Sequence, residues 1–126
     1  MGQSSTSSLG FIFTTIVFTV VGQLLVKQGM LQVNLSPTHI SVIPAFILQT
    51  FTNARVVIGL ICAVLAAISW TAALSRSDIS FAYPFMGLAI VLVLALSGYC
   101  FGERLPASRW IGVLIVCFGL WIAARK

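Results

Sequence analysis

Four apolar stretches, each near the roughly 20 residues that a helix needs to cross a bilayer, fill most of a chain of only 126 residues. They cover residues 9–28, 54–74, 79–101 and 107–124. Open backbone groups are too costly in hydrocarbon, so each stretch must close its hydrogen bonds within a helix. The expected fold class is an all-α membrane protein, one domain over residues 1–126 with four transmembrane helices. Composition agrees, with 60% hydrophobic and 7% charged residues against roughly 45–50% and about 25% in soluble domains. The connections are too short to house a soluble catalytic domain, so the chain is not expected to be an enzyme. One connection is long, residues 29–53. Within it residues 40–51 (ISVIPAFILQTF) are apolar, too short to cross and interrupted by Pro44, and should lie in the interface or re-enter the bilayer.

Seven Lys/Arg against two Asp/Glu give a formal net charge of +5. With so few charges this excess reads as loops meeting membrane lipid headgroups or phosphates, not as nucleic-acid binding. It does not orient the chain: Arg76, Arg125 and Lys126 share one side, and Lys27, Arg55, Arg104 and Arg109 the other. Cys62, Cys100 and Cys117 lie in apolar stretches without metal-ligand or redox spacing, and read as small hydrophobes. No paired acids, no nucleophile beside a base and no phosphate-cradling glycine loop are present, so no catalytic residue, metal or cofactor is expected.

The polar residues that remain are few enough to weigh singly. Thr15, Thr19, Gln23 and Lys27 recur every four residues on the first span, which stacks them on one helix face. The threonines can satisfy themselves on the carbonyl one turn back. Gln23 cannot face lipid cheaply, and the stripe gives Lys27 a direction. Asp78, in the turn before the third span, is the expected N-cap of that helix. Glu103 follows the third span, on the same membrane side as Lys27 by the parity of crossings, so the two can pair. Neither acid lies deep in a span, where proton-coupled pumps usually keep an ionisable group. Gly59, Ala63 and Ala67, the Gly98/Gly102 GxxxG, and Gly112 with Gly119 are small-residue patterns suited to close helix packing, within the chain or in a dimer. Trp110 and Trp121 share a face and read as interfacial anchors.

Several of these segments also carry a family likeness. VGQLLVKQGM (Val21 to Met30), the AYP turn (Ala82, Tyr83, Pro84), GER (Gly102, Glu103, Arg104) and RWIG (Arg109 to Gly112) stand in order over about half the chain. Together they resemble the drug/metabolite transporter superfamily, and within it the small four-span EamA-like proteins of the ArnE/ArnF type. That resemblance implies a pair of small subunits flipping an undecaprenyl-phosphate-linked aminoarabinose across the bacterial inner membrane. The chain is more distantly similar to the small multidrug resistance pumps. Their essential embedded glutamate falls here on Thr19, and the aromatic position after the AY pair falls on Met86. Both departures argue against proton-driven export of cationic drugs.

The leading expectation is a dimeric flippase, a homodimer or a heterodimer with a related small subunit, whose substrate is a lipid-linked sugar phosphate. Lys27, aided by Arg104 or Arg55, would hold the phosphate. Thr15, Thr19, Gln23 and Tyr83 would line the sugar's route, and the lipid tail would stay in the bilayer. Glu103 completes the candidate substrate-binding set. Two other readings stand beside this one. A small exporter of cationic drugs or metabolites would use Glu103 as its acid. A non-transporting assembly subunit would use the polar stripe only as a contact surface.

Overall fold

The computed structural model describes residues 2–125, with side chains described from Thr6 to Arg125. Five α-helices follow in order: α1 (Gly2–Met30), α2 (Ile43–Thr52), α3 (Ala54–Leu74), α4 (Ile79–Phe101) and α5 (Ala107–Ala124), with a single 3-10 turn at Ile40–Val42 before α2. The described residues contain no strand, and α1, α3, α4 and α5 are each long and apolar enough to cross a membrane. The all-α fold with four membrane-competent helices is thus as the sequence implies.

At 29 residues, α1 is about 44 Å long by helical rise, well beyond a hydrocarbon core of about 30 Å. It begins at Gly2, ahead of the apolar stretch that starts at residue 9. The polar lead is part of the packed helix, for Ser8 is only 1% exposed. α1 is the central element. Ile12, Ile16 and Val20 form a buried row at four-residue spacing, packed with Ala73 of α3 and with Ala82 and Ala89 of α4.

α1 and α3 form the tightest pair in the chain. Their backbones cross where two glycines meet: a Cβ on Gly22 would lie 2.9 Å from the Gly59 carbonyl oxygen, and one on Gly59 would lie 2.7 Å from that of Gly22. In lipid, where apolar surface alone drives no association, such backbone approach is what holds helices together. Asn53 fastens the same pair at one end. Its Oδ1 accepts from the backbone N–H groups of Arg55 and Val56 at 3.0 and 3.4 Å, capping α3. Its Nδ2 donates to the Gly29 carbonyl and to Gln32 Oε1 at 3.3 and 3.1 Å. Asn53→Ala removes the cap and both ties, and should lower stability by about 1–2 kcal/mol. Denaturant unfolding in detergent, followed by far-UV circular dichroism, measures this; an unmoved midpoint would show that the strap contributes nothing.

Two local expectations need correcting, and a third holds in position but not in hydrogen bonding. Pro44 does not interrupt its apolar segment but sits in the first turn of α2, where a missing N–H costs no helical bond. Asp78 occupies the N-cap position of α4, yet its side chain makes no capping hydrogen bond; its charge still complements the positive end of the helix dipole. Gly98 and Gly102 are not a packing GxxxG. Gly102 is the left-handed residue that ends α4, at φ 62° and ψ 23°, a conformation that glycine takes without a Cβ clash. Gly98 accommodates Leu105 from the following loop.

α5 lies at the edge of the bundle. It packs on α4, where Leu120 reaches Gly87, and none of its own residues is buried. Trp121 stacks with Phe118, and the Arg125 guanidinium lies 4.4 Å above the Trp121 ring.

Candidate functional site

α3 and α4 each pack on α1 but barely on each other. The turn at residues 75–78 joins them, and from there they leave a cleft with α1 as its floor. One side, between α1 and α3, is a groove of about 560 Å³ that includes Thr15, Thr19, Gln23 and Lys27. The other side, between α1 and α4, is a cavity of about 340 Å³ that shares Thr19, Gln23 and Met86 with the first and extends to Ser97. The four-residue stripe is therefore the floor of the cleft. From Thr15 to Lys27 it runs about 18 Å by helical rise, more than half of a hydrocarbon core.

The groove owes its space to the small residues of α3. Gly59 packs on α1, but Ala63 and Ala67, which share its four-residue repeat, are exposed and line the groove. Larger side chains there would fill it. Trp70 and Met86 flank it toward the Thr15 end.

Along the floor the polar groups differ in availability. Thr15 is 2% exposed, and its hydroxyl donates to the Phe11 carbonyl at 2.8 Å, leaving only acceptor capacity. Thr19 is half-buried. Gln23 is exposed and has no hydrogen-bond partner among the described residues, so both its donors and its acceptor are open. At the mouth, Lys27 Nζ lies 3.3 Å from Glu103 Oε1, the two side chains being 51% and 36% exposed. This is the pairing that crossing parity allows, and it ties the end of α1 to the segment after α4.

The other candidate residues lie apart from the groove lining. Arg55 and Arg104 are exposed at the Lys27 end of the bundle; among the described residues the Lys27–Glu103 contact is the one side-chain ion pair. Tyr83 is not among the groove-lining residues, but its half-exposed ring packs edge-to-face with that of Trp70, which is, at 5.6 Å and 79°. Sequence reasoning missed Trp70 as a wall residue, because an isolated tryptophan in an apolar run carries no periodic signal. It also missed a polar cavity of about 240 Å³ near the same end, lined by Gln32, Asn34, Gln49, Thr52 and Asn53 among others. An asparagine directly before a long apolar run was the available sign, as an N-cap signature. The described residues hold no group of three His, Cys, Asp or Glu side chains placed to bind a metal, and the three cysteines are free thiols.

Four helices long and apolar enough to cross a membrane, around a lengthwise cleft with a polar floor, define a small multi-pass membrane protein. Comparison with known proteins gives the family. Over 114 residues the chain is 32% identical to a Serratia proteamaculans protein named "probable 4-amino-4-deoxy-L-arabinose-phosphoundecaprenol flippase subunit ArnE", covering 89% of this chain and 92% of that one. It is 27% identical over 118 residues to a similarly named ArnF subunit of Aeromonas hydrophila, covering 92% and 78%. An ArnE relative from Pseudomonas savastanoi is 29% identical over 69 residues, a stretch that spans 55% of this chain and 60% of that protein. No protein-family model and no solved structure matches the chain. The chain belongs to the ArnE/ArnF family of flippase subunits, whose named members are transport proteins and not enzymes.

Proposed function

We propose that this protein is one subunit of a flippase that moves a polyprenyl-phosphate-linked amino sugar, of the aminoarabinose type, between the leaflets of the bacterial inner membrane. The observation that carries the reading is the polar floor from Thr15 to Lys27, set in a cleft whose walls are otherwise apolar. A lipid-linked sugar phosphate has three chemically distinct parts, and each has a counterpart here. The phosphate needs a fixed cation near the membrane border, which Lys27 supplies, with Arg104 and Arg55 exposed at the same end. The sugar needs neutral hydrogen-bonding groups on its way across, and Gln23, Thr19 and the acceptor face of Thr15 supply them. Tyr83 contributes indirectly, by holding Trp70 in the wall. The lipid tail needs no protein at all, provided the cleft opens sideways to the bilayer.

The family names two kinds of small subunit, so the working unit is a pair, this chain with a related partner or with a second copy of itself. The apolar, exposed α2 lies on the membrane surface in this reading, its Leu48 and Phe51 turned to lipid. Nothing in the site favours a cation exporter. Its acid would have to be Glu103, and that carboxylate is engaged by Lys27 at the mouth.

The test is a leaflet assay on the protein purified with whatever small subunit accompanies it. Proteoliposomes are loaded with a short-chain polyprenyl-phosphoryl amino sugar, and its amine is read with a membrane-impermeant amine-reactive reagent. The inner-leaflet pool is expected to become reactive with protein present and to stay protected in protein-free vesicles. Equal protection in both would reject the flippase reading.

A further inference from the structure

The ion pair at the groove mouth constrains the ligand more sharply than a single cation would. Lys27 and Glu103 lie 3.3 Å apart, one on α1 and the other in the segment after α4, and both remain partly exposed. Suppose a purely anionic ligand takes Lys27. Glu103 then loses its partner while a second negative charge arrives beside it, and like charges at that separation repel. A purely cationic ligand on Glu103 creates the mirror problem at Lys27. A ligand that carries both signs, a few ångströms apart, avoids both. Its anion replaces Glu103 on the lysine and its cation replaces Lys27 on the glutamate, so the exchange leaves no charge unpaired.

We infer that Lys27 and Glu103 are a two-point receptor for a zwitterionic headgroup. Lys27 takes the phosphate and Glu103 takes an ammonium on the attached sugar, and the two side chains pair with each other only while the site is empty. The inference rests on the flippase reading and adds to it the feature of the headgroup that is selected. Three observations support it. The resting pair is exposed enough to be weak, worth about as little as other solvent-accessible ion pairs, so a ligand can open it. Glu103 is the only acid at that end of the bundle, since Asp78, the other acid of the chain, lies in the turn at the opposite end. The groups deeper in the groove, Gln23 and Thr19, are neutral, so charge recognition falls entirely at the mouth.

Binding to the intact protein in lipid nanodiscs tests this with three probes: polyprenyl phosphate without a sugar, a polyprenyl-phosphoryl amino sugar, and the same lipid with its amine acetylated. Wild-type protein should bind the free-amine lipid at least about tenfold more tightly than the acetylated one, the scale of one charge-assisted hydrogen bond. In Glu103→Gln that ratio should fall toward one. The acetylated lipid should also bind the variant more tightly than the wild type, because no carboxylate competes for Lys27. The acetylation comparison needs no mutant, so it holds even if Glu103→Gln folds poorly. Equal binding of the two sugar lipids by wild-type protein would overturn the two-point receptor while leaving the flippase reading in place, as would an undiminished preference in Glu103→Gln. Failure of wild-type protein to bind any of the three lipids would overturn both.

Discussion

Gly59→Leu is expected to yield no stably folded protein, with aggregated or heterogeneous material in mild detergent and a loss of about 3 kcal/mol or more in any fraction that can be titrated. The reason is the identity of the atoms in the way. A Cβ at position 59 would lie 2.7 Å from the Gly22 carbonyl oxygen, 2.6 Å from Val26 Cγ2 and 3.0 Å from the Val26 backbone nitrogen. The Val26 methyl could rotate aside, but two of the three contacts are backbone, and relieving them means moving α1 as a body. α1 carries the buried row Ile12, Ile16 and Val20, so the displacement spreads through the core. Gly112→Leu is the matched control, because nothing lies within 4 Å of the position a Cβ would take there. It should elute and unfold like the parent. Size-exclusion profiles and denaturant midpoints compare the two, and similar behaviour would mean that the glycine crossing does not hold α1 to α3.

Lys27→Gln should behave in the opposite way, folding normally and transporting poorly. An ion pair this exposed contributes about 0.2–1 kcal/mol to stability, so the unfolding midpoint should scarcely move. A charge-assisted hydrogen bond to a phosphate contributes about 1.5–3 kcal/mol, and each 1.4 kcal/mol is tenfold. The leaflet assay should therefore show a fall of about tenfold to a hundredfold. Lys27→Arg keeps a cation that suits phosphate and should restore much of the rate. Parent-like transport by a well-folded Lys27→Gln would remove the lysine from the mechanism.

The helices were legible because lipid leaves so few options for a long apolar stretch. The floor of the cleft was legible for a related reason. Polar residues are so sparse in the first span that the repeat from Thr15 to Lys27 stands out, and crossing parity puts Glu103 on the Lys27 side of the membrane, where the structure pairs them. What sequence could not supply was where helices stop and what a small residue faces. Gly98 and Gly102 read as a packing pair only if the helix continues past residue 101; once α4 ends there, the same spacing has another meaning. Gly59, Ala63 and Ala67 look alike in a repeat, yet the first is pressed against α1 and the other two bound an open groove. That distinction depends on how α3 and α4 diverge, which no single helix encodes. Tyr83 sits in a family-like motif and was expected among the ligand contacts. Its ring packs on Trp70 of the groove lining while Tyr83 itself is outside that lining, a placement that motif matching cannot separate from direct contact.

The left-handed residue at the end of α4 has a consequence for how selectivity could change. Gly102 is uncharged, exposed, and has no atom within 4 Å of where a Cβ would sit. By contact alone it is among the least consequential positions in the chain. Yet its backbone angles direct Glu103, the next residue, toward α1, and an L-residue there would be strained by about 1–2 kcal/mol. The alignment of a carboxylate at the groove mouth is thus governed by a dihedral angle at a neighbour that touches nothing. In the two-point receptor proposed above, a change at this one site would retune the charge geometry with both charged side chains intact, so headgroup preference would drift without altering any residue in the cleft.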